Sequence, residues 1–121
     1  MRVQRFEDLP FSHIAREFVG ADHGAGVTLL LVDAAPGEGP RLHRHPYEEI
    51  FIVQEGEATF RSDHGECVVR AGEIVVIPAR EPHAFTNTGA GRLRQIDIHA
   101  SPRFETEWLE PQPSLPRTSG P

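Results

Sequence analysis

The chain has 121 residues and a mass of 13.5 kDa, which at about 150 residues per domain leaves room for one domain and excludes a two-domain enzyme. Its 11 Gly and 11 Pro suit many short strands better than long helices. Eighteen acidic against twelve basic residues give a net charge of -6 with the histidines neutral, which excludes the basic field that a nucleic-acid backbone requires.

The opening segment MRVQRFEDLP has no apolar signal core, and no window approaches the roughly 18 apolar residues of a membrane span, so a cytoplasmic protein without a membrane partner is expected. Residues 1–12 mix charged and apolar types and read as an N-terminal arm. Strand-length segments rich in β-branched and aromatic residues follow at 13–19, 26–34, 47–54, 58–61, 66–70, 73–77, 83–87 and 93–100. Seven or eight short strands at this spacing indicate an antiparallel sandwich or small barrel over 13–100. The single cysteine, Cys67, cannot form an internal disulfide and reads as a packed thiol within ECVVRAG.

Residues 101–109 carry Phe104, Trp108 and Leu109 at i, i+4 and i+5, either one helical turn or an extended arm, with the tryptophan as an anchor rather than a substrate platform. The segment 110–121 is proline-rich, almost without apolar side chains, and reads as a flexible tail. Leu29 to Val32, Ile50 to Val53 and Ile74 to Ile77 are apolar at consecutive positions, so both faces of those strands need cover. A homodimer is the expectation, with the N-terminal arm as the other candidate cover.

Chemistry concentrates in two segments. From Gly37 to Gly56 the chain reads G-x5-H-x-H-x3-E-x6-G, and His43, His45, Tyr47 and Glu49 share the odd parity that puts them on one face of an extended strand. Phe51 and Val53 continue that face as apolar walls, whereas Glu48 has the opposite parity and faces outward. From Gly72 to Asn87 the chain reads GEIVVIPAREPHAFTN, which supplies His83 after a proline turn. Three imidazoles and one carboxylate suit a first-row divalent metal with coordination positions left open.

Both segments can be laid on the two signature motifs of the cupin superfamily, which this sequence therefore resembles. Gly37, His43, His45, Glu49 and Gly56 match the first motif, and Gly72, Pro78, His83 and Asn87 match the second. Arg80 stands where the family has glycine, which questions the geometry of that turn because arginine enters positive φ less freely. The resemblance implies an all-β, single-domain double-stranded β-helix, or jelly-roll barrel, with His43, His45, Glu49 and His83 holding one divalent transition metal per chain: Fe, Mn, Zn or Ni.

The last strand alternates, with Gln95, Asp97 and His99 on one face and Ile96 and Ile98 on the other. Parity does not say which face is inside. If the polar face is, His99 is the candidate proton carrier, because its unperturbed pKa lets it give and take a proton at neutral pH. Tyr47, Phe51, Phe85, Gln95 and Asp97 are then the candidate substrate pocket. His13, His23 and His64 are expected in solvent. The expected function is metal-dependent chemistry on a small oxygenated organic molecule, dioxygenase-like or a decarboxylation, isomerisation or cyclisation. The alternative is a non-catalytic module that binds or senses such a molecule on the metal.

Overall fold

A computed structural model describes residues 1–111; nearly all of the expected tail, residues 112–121, lies outside them. The described residues are all-β, as expected, with eleven strands. They are β1 Phe11–Ser12, β2 Ala15–Phe18, β3 Thr28–Ala34, β4 His43–Arg44, β5 Glu49–Glu55, β6 Glu57–Ser62, β7 Gly65–Arg70, β8 Ile74–Ile77, β9 His83–Asn87, β10 Leu93–His99 and β11 Glu107–Trp108. One sheet runs β1-β2-β3-β10-β5-β8 and the other β11-β4-β9-β6-β7, with every pairing antiparallel.

Alternation decides what each strand contributes. In β5, Glu49, Phe51 and Val53 are buried between the sheets while Ile50 and Ile52 are half-buried outside. In β10, Leu93, Gln95, Asp97 and His99 are buried and Ile96 and Ile98 half-buried, so the polar face is the inner one. The apolar core occupies one end of the barrel, where Phe51 meets Phe60 at 4.9 Å between ring centroids and Phe60 meets Phe85 at 5.4 Å. The other end is lined by polar side chains. Across the outer face, Ile96 pairs with both Leu31 and Ile52, and Ile98 with both Leu29 and Ile50, an apolar ladder continued by exposed Ile74 and Val76 on the edge strand.

Three local expectations change. The strand predicted over 13–19 is β2 from Ala15 to Phe18, and residues 11–12 of the expected arm form β1 and pair with it, because His13 takes a left-handed φ of 58° and turns the chain between the two. The Trp108 segment is extended rather than helical, since β11 pairs with β4 over Glu107–Arg44 and Trp108–His43. Cys67 is exposed, not packed: β7 pairs with β6 and forms the outer edge of its sheet, where Val69 alone among its residues is buried.

Two further turns depend on a left-handed backbone. Gly56 links β5 to β6 at φ 84°, where a Cβ would stand 2.3 Å from the Arg92 carbonyl oxygen. Arg80 adopts φ 69° and its N–H donates to the His45 carbonyl at 2.8 Å, so the turn keeps the geometry that a glycine would adopt without strain. A left-handed conformation costs a residue with a side chain roughly 1–2 kcal/mol. Arg80→Gly should therefore raise thermal stability by about 1 kcal/mol after glycine's own entropy is counted, and Gly56→Ala should lower it by about 2 kcal/mol or more; denaturant titration of both variants checks the opposite signs.

Candidate metal centre

The polar end of the barrel is assembled by register. In one sheet His43 of β4 lies directly opposite His83 of β9; in the other Glu49 of β5 lies opposite His99 of β10. His45 sits between β4 and β5. All five side chains are buried, and one ligand atom each from His43, His45, Glu49 and His83 lies within 4.8 Å of the others.

Backbone carbonyls fix the ring orientations of the first three imidazoles. The Nδ1 of His43 faces the Arg41 carbonyl at 2.7 Å, that of His83 the Glu81 carbonyl at 2.9 Å, and that of His45 the Glu105 carbonyl at 2.8 Å. A carbonyl can only accept, so each neutral ring carries its proton on Nδ1 and presents a bare lone pair at Nε2. Those lone pairs meet the carboxylate: His83 Nε2 is 3.0 Å and His45 Nε2 3.1 Å from Glu49 Oε1. Acceptors opposed at this distance repel, and the buried His45 Nε2 has no hydrogen bond. A divalent cation among the four donors removes that conflict, and second-shell carbonyls on Nδ1 are the usual support for such ligands.

The electrostatics agree with this assignment. Burial, reinforced by the charge of neighbouring His83, lowers the His43 pKa to about 4, so the ring is neutral at pH 7. Burial alone would raise the Glu49 carboxyl, and where the His45, His83 or His99 ring carries a proton on Nε2 its N–H holds the carboxyl well below the usual range.

His99 differs from the other three rings. Its Nδ1 faces the Tyr47 hydroxyl at 2.7 Å, and its Nε2 lies 2.9 Å from Glu49 Oε2. A hydroxyl can donate as well as accept, so His99 is free to carry its proton on Nε2, toward the carboxylate. The Tyr47 oxygen also accepts from the Glu105 N–H at 3.2 Å, and burial pushes its pKa up to about 12, keeping it a hydroxyl. Asp97 is buried one inward position from His99; burial, then the Glu49 charge, raises its carboxyl well above the usual range against a 2.9 Å hydrogen bond from Gln95.

A cavity of about 720 Å³ opens onto this centre. Of the residues expected in a substrate pocket, Phe85 and Asp97 line it together with His99. Tyr47 instead stands behind His99, Phe51 packs in the apolar core, and Gln95 lies against Asp97 one step deeper. Other wall residues were not foreseen: His13 and Glu17 from the β1/β2 hairpin, and Phe104, Thr106 and Trp108 from the C-terminal strap. His13, expected in solvent, is exposed but stands at this mouth. Trp108, expected only as an anchor, has its ring 4.9 Å from that of His43 and forms part of the wall. No local pattern signals these residues, because pairings with β3 and β4 bring them there from both ends of the chain.

The strap is firmly held. Arg44 makes two hydrogen bonds to the Glu107 carboxylate at 2.9 and 3.2 Å, and Glu110 receives Arg61 at 2.9 Å.

Residues 30–99 match the family model described as Cupin domain. The chain is 28% identical over 130 aligned positions to auxin-binding protein 1 of Arabidopsis thaliana, covering 90% of this chain and 66% of that protein. It is 37% identical over 99 residues to polyketide synthase CurC of Streptomyces cyaneus, covering 80% of this chain and 57% of that one. The chain thus spans less than two thirds of the length of either relative. Oxalate decarboxylase of Lactobacillus farciminis superposes with a TM-score of 0.75 at 22% identity, covering 85% of this chain and 34% of that one, which is a likeness of fold. With 70 residues matched to the family model and both signature motifs meeting at one buried His₃–Glu cluster, the chain belongs to the cupin superfamily.

Proposed function

We propose that the chain is a metal-dependent enzyme that binds a small oxygenated organic molecule at the His43–His45–Glu49–His83 centre and moves a proton on it through His99. The line Tyr47–His99–Glu49 carries this reading: a buried imidazole faces the cavity with its Nδ1 on the Tyr47 hydroxyl and its Nε2, which has no hydrogen bond of its own, 2.9 Å from Glu49 Oε2. A divalent metal bound there supplies Lewis acidity toward an oxygen of the bound molecule. His99 then takes or returns the proton, Tyr47 fixes its ring, and Asp97 offers a second acid at the cavity wall. Isomerisation, cyclisation or decarboxylation is the chemistry such a relay serves, and the name of the polyketide synthase relative is in keeping with a carbonyl-rich substrate.

We also place two copies together through the apolar ladder of Ile50, Ile52, Ile96 and Ile98, and the chain in the reducing cytoplasm, where the exposed Cys67 thiol persists. Among the described residues no helix is long and apolar enough to cross a membrane.

Elemental analysis of the purified protein should find about one divalent metal per chain, and the double variant His43→Ala, His45→Ala should lose nearly all of it; equal metal in parent and variant refutes the site. His99→Ala should retain the metal and the melting temperature while lowering turnover of an identified substrate about 10²- to 10⁴-fold. If that variant is silent in turnover, His99 has no part in the chemistry.

Acid should destabilise the metal-free protein. His43 has its folded pKa depressed from 6.5 to about 4, so the unfolded chain binds more protons between these values and stability falls as pH drops through that window. Glu49, also depressed, adds a loss at lower pH still. Melting temperature measured against pH should decline below about 6.5, and less steeply in His43→Gln, which cannot take the proton. Light scattering checks the dimer: Ile52→Arg should convert a dimeric mass to a monomeric one, and a parent already monomeric at micromolar concentration refutes the pairing.

A further inference from the structure

The cavity is built for more than a small chelating anion. Its roughly 720 Å³ falls within the range of about 300–1,000 Å³ typical of drug-sized ligands, so a four-carbon or smaller acid would leave most of it unfilled. The space beside the centre is walled by aromatic rings. Trp108 lies 4.9 Å from the His43 ring, Phe104 lies 5.1 Å from His99, and Phe85 lines the same cavity.

The charges around the cavity are one-sided. Apart from Glu49 its walls carry the acids Glu17 and Glu38, burial and the Glu49 charge hold Asp97 toward its neutral form, and no arginine lines the cavity among the described residues. The chain has no lysine; all twelve of its basic residues are arginines. Those near the strap and the sheet edges face acids of their own, as Arg44 does Glu107, Arg61 does Glu110 and Arg92 does Asp33. His13 at the mouth lies within electrostatic reach of Glu17. A divalent ion held by Glu49 keeps one net positive charge, which one ionised oxygen of a ligand neutralises. A second carboxylate would enter a low-dielectric space among acids with no cation to meet it, at the desolvation cost of an unpaired charge. Hydroxyl and carbonyl oxygens, by contrast, find partners in Ser12, Thr106 and Asp97 along the wall.

From this shape and charge we infer that the site selects a flat aromatic molecule bearing hydroxyl or carbonyl oxygens and at most one negative charge, and discriminates against dicarboxylates. The inference rests on the reading of the His₃–Glu cluster as a metal centre.

The test uses the full chain loaded with zinc and titrated calorimetrically near neutral pH with three probes: 1-hydroxy-2-acetonaphthone, an uncharged aromatic hydroxyketone; phthalate, an aromatic dianion; and oxalate, a small dianion. Zinc content is measured again after each titration, so that stripping is not read as binding. The hydroxyketone should bind at least about tenfold more tightly than either dianion. Trp108→Leu, which keeps an apolar side chain but removes the ring, should weaken the hydroxyketone about three- to tenfold with zinc content unchanged. Oxalate or phthalate binding as tightly as the hydroxyketone overturns the inference, as does a zinc-loaded protein that binds none of the three; either result leaves the metal centre standing. A chain that takes up no zinc overturns the reading of the centre and this inference together.

Discussion

The burial of Glu49 among imidazoles is the constraint on which the rest of the architecture depends. A carboxylate with a side chain 3% exposed and three rings turned toward it is costly in a barrel without a compensating charge. The fold accepts this cost by fixing every group around it. Register pairs Glu49 with His99 and His43 with His83, backbone carbonyls orient the rings, and the apolar core abuts them through Phe51 and Phe85. Because the donors are held by strands of both sheets, a cation at their meeting point ties the two sheets together. Such a centre couples metal binding to stability as well as to chemistry.

Much of this was legible in the residues. Alternation put His43, His45 and Glu49 on one face, and β5 has that face buried. Strand β9 runs from His83 to Asn87, as the β-branched and aromatic run between a proline turn and an asparagine suggested. The substitution of arginine for glycine at position 80 raised a question of backbone geometry that φ 69° answers: the turn holds its shape at the expense of strain. What parity left open in β10, its inward face, follows from pairing. Flanked by β3 and β5, β10 is an interior strand, and its register with Glu49 turns His99 inward with it.

Most of the parts that could not be read depend on contacts distant in sequence, and one on a local turn. A turn at a single left-handed histidine reshaped the predicted first strand. Cys67 looked packed because its neighbours are apolar, yet exposure depends on the edge position of β7, which is a property of the sheet and not of the heptapeptide. Phe104 and Trp108 have a spacing compatible with a helical turn, and only pairing with β4 makes the segment extended. The cavity therefore combines a centre whose donors come from two short sequence motifs with walls recruited from both ends of the chain.

That division has a consequence for how the centre matures. All four donors have been synthesised once the ribosome has passed His83, but the carbonyl that holds the proton of His45 belongs to Glu105, twenty-two residues further on. The strap that carries it docks through Arg44 and Arg61, so its closure waits on strands β4 and β6 already in place. Without the strap His45 Nδ1 has no backbone carbonyl to fix its proton. The fixed orientation of the His45 ring thus depends on a segment that belongs to neither signature motif, and the strap decides which His45 nitrogen faces the other donors.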